Sequence, residues 1–218
     1  MTLVAGIDPG SSGAVAVYDT ATQTILSIED LPFWFQTVGK KKRKRLDPIG
    51  MMEVFELLSM MGVGLVVLEA VGGRPRQSAS SGFVFGYTVG MITMALMYNK
   101  LIIETIPPAQ WKKVMRVPGK RGGKEGREKL AKIKSEEKRK VAVREMIKQA
   151  DGDIMRRVAE LFPHDQDKFR TARGAFRMDR ADAALLAKFG GDYIMATMPA
   201  QSADVELSIV YRNADTGA

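Results

Sequence analysis

The segment GLVVLE, residues 64–69, is a continuous apolar run that ends in a carboxylate. A strand that is apolar on both sides needs cover on both faces, so it belongs inside a sheet with helices above and below. The N-terminal run LVAGI, residues 3–7, ends in the same way at Asp8. PGSSG and then AVAVYD follow, and two β-type segments around a Gly/Ser turn predict a hairpin. ILSIEDLPFWFQTV supplies a third strand and its exit, and LIIETI a further strand broken by Pro107 and Pro108. A helix is predicted to start at Asp47 and Pro48, with Met52, Phe55, Leu58 and Met61 on one side and a stop at Gly62. Others span about Phe83 to Asn99 and PAQWKKVM. The block KKKRKR, residues 40–45, reads as a loop, and residues 116–134 as a mobile basic loop. Ser135 opens a helix over SEEKRKVAVREMIKQA, DIMRRVAELFP is another short helix or turn, and a last long helix runs from Asp179 to about Met198. Three strands, then helix, strand, helix, strand and more helices predict an α/β mixed sheet flanked by helices. It occupies one domain, residues 1–198, with a tail over 199–218.

The charges are unevenly placed. Thirty-three Lys and Arg face 25 Asp and Glu, a net charge of +8, and residues 112–144 alone hold 14 basic side chains against four Glu. Such clustering is the footprint of a polyanion binder, usually nucleic acid. The bland reading is a solvated face, which fits KKKRKR as well as contact does. Within the longer block Lys112, Lys113, Lys120, Arg121, Lys124, Arg127, Lys138 and Arg139 are the candidate DNA contacts, and Arg74 and Arg76 offer further phosphate contacts after Glu69. The chain has no Cys and one His, His164. Disulfides and thiolate sites are excluded, a reducing cytoplasm is the compatible location, and any metal must be a hard cation held by oxygen. No apolar run approaches the roughly 20 residues that cross a bilayer, and the N-terminus does not read as a signal peptide, so no membrane partner is expected.

Four acids sit at element ends. Asp8 and Glu69 each close a strand, and Asp179 and Asp182 share one helix face at i and i+3. Each has an ordinary explanation: a turn residue in DPG, an exposed strand end, a helix cap, a partner of the helix dipole. If the two strands are parallel neighbours and the helix crosses them, the four form one self-repelling cluster. Two divalent ions about 3.5–4 Å apart would neutralise it and suit displacement at a phosphodiester. Magnesium matches an all-oxygen site, with manganese as a substitute.

IDPGSSGAVAVYD, VLEAV with its following Gly/Ser-rich helix, IPPAQWKKVM, GKRGGKEGR leading to KRKVAVREMI, and DRADAALLA occur in this order over about residues 3–190. The set resembles the RuvC-type Holliday junction resolvases of the ribonuclease H-like superfamily. The resemblance implies a mixed five-stranded sheet between helical layers, with Asp8, Glu69, Asp179 and Asp182 as catalytic acids holding two Mg2+ ions. It implies that Lys138 contacts phosphate near the site. It further implies a homodimer that cuts opposed strands of a four-way junction, leaving 5′-phosphate and 3′-hydroxyl ends. Where the family commonly has an aromatic residue three positions after the glutamate, this chain has Gly72, so weak sequence preference is expected. The extra basic segments resemble enlarged resolvase-like nucleases of bacteriophages and related viruses. The rival readings are an actin-like ATP-binding fold, a non-catalytic nucleic-acid-binding protein and a nuclease for RNA–DNA hybrids. The first needs two lobes and a second phosphate loop, and the second should have lost an acid.

Overall fold

Alternating burial splits the strands between two hydrophobic cores, and that split sets the architecture. The structure, a computed structural model, describes residues 2–194 apart from 11, 71, 73–77 and 120–122. An antiparallel meander comes first: β1 (Leu3–Asp8), β2 (Ala14–Asp19) and β3 (Thr24–Asp30). A separate hairpin of β4 (Phe33–Val38) and β5 (Lys41–Leu46) follows. Helix α1 (Pro48–Met60) leads into β6 (Val63–Glu69), and α2 (Ala79–Tyr98) into β7 (Ile103–Ile106). The remaining helices are α3 (Pro108–Val114), α4 (Gly123–Ala131), α5 (Glu136–Leu161) and α6 (Met178–Phe189). The main sheet runs β3-β2-β1-β6-β7, with β6 parallel to both β1 and β7. This is the mixed five-stranded sheet between helices that the resemblance implies.

Period-two alternation sends successive side chains to opposite faces. Val4, Ala14, Ala16, Leu65 and Val67 meet α3, α5 and α6 through Trp111, Ile154, Val158 and Leu185. Ala5, Ile7, Val15, Val66 and Leu68 meet α1 and α2 through Phe55, Leu58, Ile92 and Leu96. The sheet is therefore the middle of three layers. Gly6 lets α6 come close: a Cβ there would stand 2.2 Å from the Ala183 carbonyl oxygen and 2.3 Å from the Ala187 nitrogen. The Ala-rich side of α6 (Ala183, Ala184 and Ala187, all fully buried) completes that approach.

Several boundaries differ from expectation. Residues 40–45 are not a loop but supply nearly all of β5, paired with an aromatic strand. Alternation along a strand sends successive like charges to opposite sides of a ribbon, which lowers their repulsion. Residues 123–131 of the supposed basic loop form α4. Helix α5 runs unbroken through Asp151 and Gly152 because Ala150, Ile154 and Val158 anchor it in the core. Helix α2 starts earlier, at Ala79, with the Ser78 side chain accepting from the Ser81 amide. Helix α1 buries Met51, Phe55 and Leu58, while Met52 and Met61 are only partly buried. Helix α6 ends at Phe189 and continues as a π-turn, Gly190–Ile194. The tail, 199–218, lies outside the described residues.

Candidate active site

β1 and β6 run side by side in parallel, with Ile7 opposite Leu68, so Asp8 and Glu69 come one residue later at adjacent strand ends. Alternation fixes their direction. Ile7 and Leu68 enter the core under α1 and α2, and the next side chains turn to the face covered by α6. There Asp182, in the second turn of α6, is almost fully buried. Asp179 sits in the first turn, more exposed. It does not cap the helix: the cap position is Arg177, whose guanidinium lies 3.5 Å from Asp179 Oδ2.

The carboxylates act on one another. Burial pushes the Asp8 carboxyl up to about 7, and the charges of Asp182, Glu69 and Asp179 push in the same direction. The Gly10 amide, donating to Asp8 Oδ1 at 3.2 Å, opposes them. A group at the end of β1 thus feels three acids from two other elements. The structure brings the four predicted acids together.

Protein donors hold the cluster. Trp111 Nε1 donates to Glu69 Oε1 at 3.2 Å, and Lys112 Nζ lies 3.3 Å from Asp182 Oδ2 and 4.7 Å from the centre of the Trp111 ring. Lys112, expected among the surface DNA contacts, is instead mostly buried beside the acids. Among the described residues, no three His, Cys, Asp or Glu side chains already stand in the arrangement of a metal centre. The donor set itself is all oxygen and strongly anionic, which is the chemistry that hard divalent cations take.

The start of α6 is fixed by a network that sequence reading missed. Asp30 Oδ1 accepts from Arg180 Nε at 2.8 Å, and its Oδ2 lies 3.2 Å from Arg177 Nη1. Arg177 also donates to the Ser12 carbonyl at 3.1 Å, and Arg180 to the carbonyls of Lys168 and Arg170. Asp30 is desolvated, yet the bonds and charges of Arg180 and Arg177 hold its carboxyl below the usual range. The R-M-D-R pattern, residues 177–180, was the available signal. Lys113, Lys138 and Arg139 are exposed, and Lys138 makes no hydrogen bond or ion pair with the four acids. Arg74, Arg76, Lys120 and Arg121, and the side chains of Lys124 and Arg127, lie outside the described residues.

No family model and no curated protein sequence matches the chain. In structure it is similar to Holliday junction resolvases. Thermus thermophilus RuvC in complex with a Holliday junction substrate shares 13% identity at a TM-score of 0.48, over 90% of this chain and 97% of that one. Thermus thermophilus RuvC alone gives 16% and 0.43, over 90% and 98%. The Fowlpox virus resolvase in complex with Holliday junction DNA gives 16% and 0.44, over 89% and 99%.

Proposed function

We propose that this protein is a metal-dependent endonuclease that hydrolyses phosphodiester bonds in branched DNA, chiefly four-way junctions. The observation that carries this reading is the placement of Asp8 and Glu69 at adjacent parallel strand ends on the face covered by α6, which holds the buried Asp182. Nothing in the packing of a stable core calls for four carboxylates within electrostatic reach of one another, and cations relieve their repulsion. Asp8, Glu69, Asp179 and Asp182 would hold Mg2+, with Mn2+ as a substitute. Bound divalent ions would neutralise the acids, activate water and stabilise the charge of the leaving oxygen. The chain's own residues do the rest. Trp111 orients Glu69, Lys112 offsets the charge of Asp182, and Arg177 and Arg180 pin the first turn of α6 against Asp30.

Branched DNA is favoured over other phosphodiesters by the net charge of +8, the basic stretch 112–144 and the ordered resemblance to RuvC-type resolvases. Gly72 is exposed and offers no side chain to stack on a base, which supports cleavage across junctions of varied sequence.

Cutting opposed strands calls for two sites, and α2 supplies a face for a homodimer. Its inner side is buried through Ile92, Ala95 and Leu96, while Phe83, Tyr87, Met94 and Tyr98 are exposed. Nothing stands within 4 Å of a Cβ built at Gly82, Gly86 or Gly90, so a second helix has room to approach. By length and composition α2 is apolar enough to cross a membrane. It is, however, the crossover between the parallel neighbours β6 and β7 and packs along their sheet, a position a bilayer span cannot take.

The test is nicking of matched four-way, flap, fork, linear duplex and RNA–DNA hybrid substrates, with and without Mg2+. Paired, Mg2+-dependent nicks on the four-way junction, lost in Asp182→Asn while binding persists, are expected. Full cleavage by purified Asp182→Asn would overturn the metal-site reading, and preference for the hybrid would overturn the substrate.

A further inference from the structure

The β4–β5 ribbon stands outside the main sheet and is built unlike the rest of the surface. Three consecutive aromatic residues on β4 are largely exposed: Phe33 at 42%, Trp34 at 48% and Phe35 at 58%. Their partner strand is six residues long, five of them basic, and no acid occurs between Asp30 and Asp47. In register, Phe35 pairs with Lys44 and Trp34 with Arg45. Alternation puts Phe33, Phe35, Lys42 and Lys44 on one face and Trp34, Gln36 and Arg45 on the other. Each described face thus carries both an aromatic plane and a cation.

The side chains are ordered against one another. Lys44 Nζ lies 3.7 Å from the centre of the Phe33 ring, Phe33 meets Phe35 edge-to-face at 5.5 Å, and Arg45 Nε donates to Gln36 Oε1 at 3.1 Å. The base of the ribbon is anchored in the core. Leu31 and Leu46 are buried in the core under α1, and the Asp47 amide donates to the Pro32 carbonyl at 3.0 Å.

The ribbon also adjoins the carboxylate site. The Leu31 amide donates to the Gly13 carbonyl at 2.9 Å, which joins the ribbon's root to the turn after Asp8. The Lys44 ammonium is held below its ordinary value by burial and by Arg177, against the pull of Asp30 and Asp179. Lys44 is therefore within electrostatic reach of Arg177 and Asp179 at the start of α6.

We infer that the β4–β5 ribbon binds unpaired nucleic-acid strand next to the cutting site, stacking bases on Trp34 and Phe35 and pairing phosphates with Lys42, Lys44 and Arg45. A protein partner would meet the five cations as a desolvation cost, whereas a polyanion gains from them. Bases use the aromatic planes that a duplex, with its bases already stacked, leaves unused. The inference deepens the branched-DNA reading and rests on it, because a branch point is where unpaired bases lie close to a scissile phosphate.

The test uses the full chain in EDTA, so that binding is read without cleavage. Affinity for a labelled oligothymidylate and for a linear duplex is measured by anisotropy, for the wild type and for Trp34→Ala/Phe35→Ala. Both side chains are exposed, and an unchanged melting temperature checks the fold. The double variant should bind oligothymidylate roughly tenfold more weakly or worse, with duplex affinity within about twofold. In the wild type, oligothymidylate should quench a fluorescence component that is missing in Trp34→Ala. Should the double variant not fold, that quenching still decides. Unchanged oligothymidylate affinity, equal losses on both DNAs, or Trp34-dependent binding to anionic vesicles alone would overturn the inference. Ribbon-dependent oligothymidylate binding without junction cleavage under Mg2+ would instead overturn the nuclease reading and leave the ribbon's role standing.

Discussion

Asp8 is the residue at which fold and chemistry pull against each other. Its carboxyl binds a proton up to about pH 7 in the folded chain but only to about 3.8 when unfolded. The folded state then holds more protons between these values, so stability falls as pH rises from about 4 to about 7. Asp8→Asn removes that slope. In EDTA at pH 8 it should stabilise the protein by on the order of 4 kcal/mol, since the two values lie about three pH units apart and each unit corresponds to roughly 1.4 kcal/mol. The gain should shrink toward pH 4. Melting curves at the two pH values check it, and a variant less stable than wild type at pH 8 would contradict the assignment. The nearness of the four acids was legible in the sequence because Asp8 and Glu69 close strands and Asp179 and Asp182 share one helix face. Trp111, Lys112, Arg177 and Arg180 were not, because their roles depend on neighbours 42 to 150 positions away. Lys112 shows this best: a lysine in a basic run reads as surface until α3 is seen to turn it toward Asp182.

Among the elements, α6 does most to assemble the site, and Gly6 permits its approach. Gly6→Ala would drive a methyl group into the backbone at Ala183 and Ala187. Either the helix moves or the strand bends, at a cost of about 1–3 kcal/mol. Because Asp182 rides on that helix, cleavage should fall more than DNA affinity does. Chemical denaturation and single-turnover kinetics separate the two, and unchanged stability would count against the tight crossing. The strands of the main sheet were readable because burial on one or both faces leaves a clear pattern. β5 was not, since its residues are basic on both faces and its partner strand is exposed. α4 was obscured by its Gly and Lys content, and α5 was cut short at Ala150, ahead of Gly152, where burial of Ala150 and Ile154 outweighs local propensity.

At the scale of the whole molecule, an uncovered apolar face and an uneven charge distribution lead to two predictions. Phe83→Glu and Met94→Glu place charges on the exposed side of α2 without touching its buried side. Together they should turn a dimer into a monomer in sedimentation equilibrium while folding persists, and a wild type that is already monomeric would refute the interface. Neutralising Lys138 and Arg139 should flatten the salt dependence of junction binding by about 0.9 in slope for each phosphate that either side chain neutralises. An unchanged slope would remove the start of α5 from the DNA path. The layered architecture was visible in the order of strands and helices, whereas the exposed side of α2 was not, because its sequence is apolar all round.

The docking of α6 on β1 also has a consequence in time. Asp8 belongs to β1 and Asp182 to α6, so the carboxylate cluster joins an early and a late segment of the chain. Contacts this distant in sequence form late, after the local hairpins and helices. During synthesis the aromatic–basic ribbon and the sheet edge emerge long before α6. A nascent chain can therefore present the ribbon well before the four carboxylates meet.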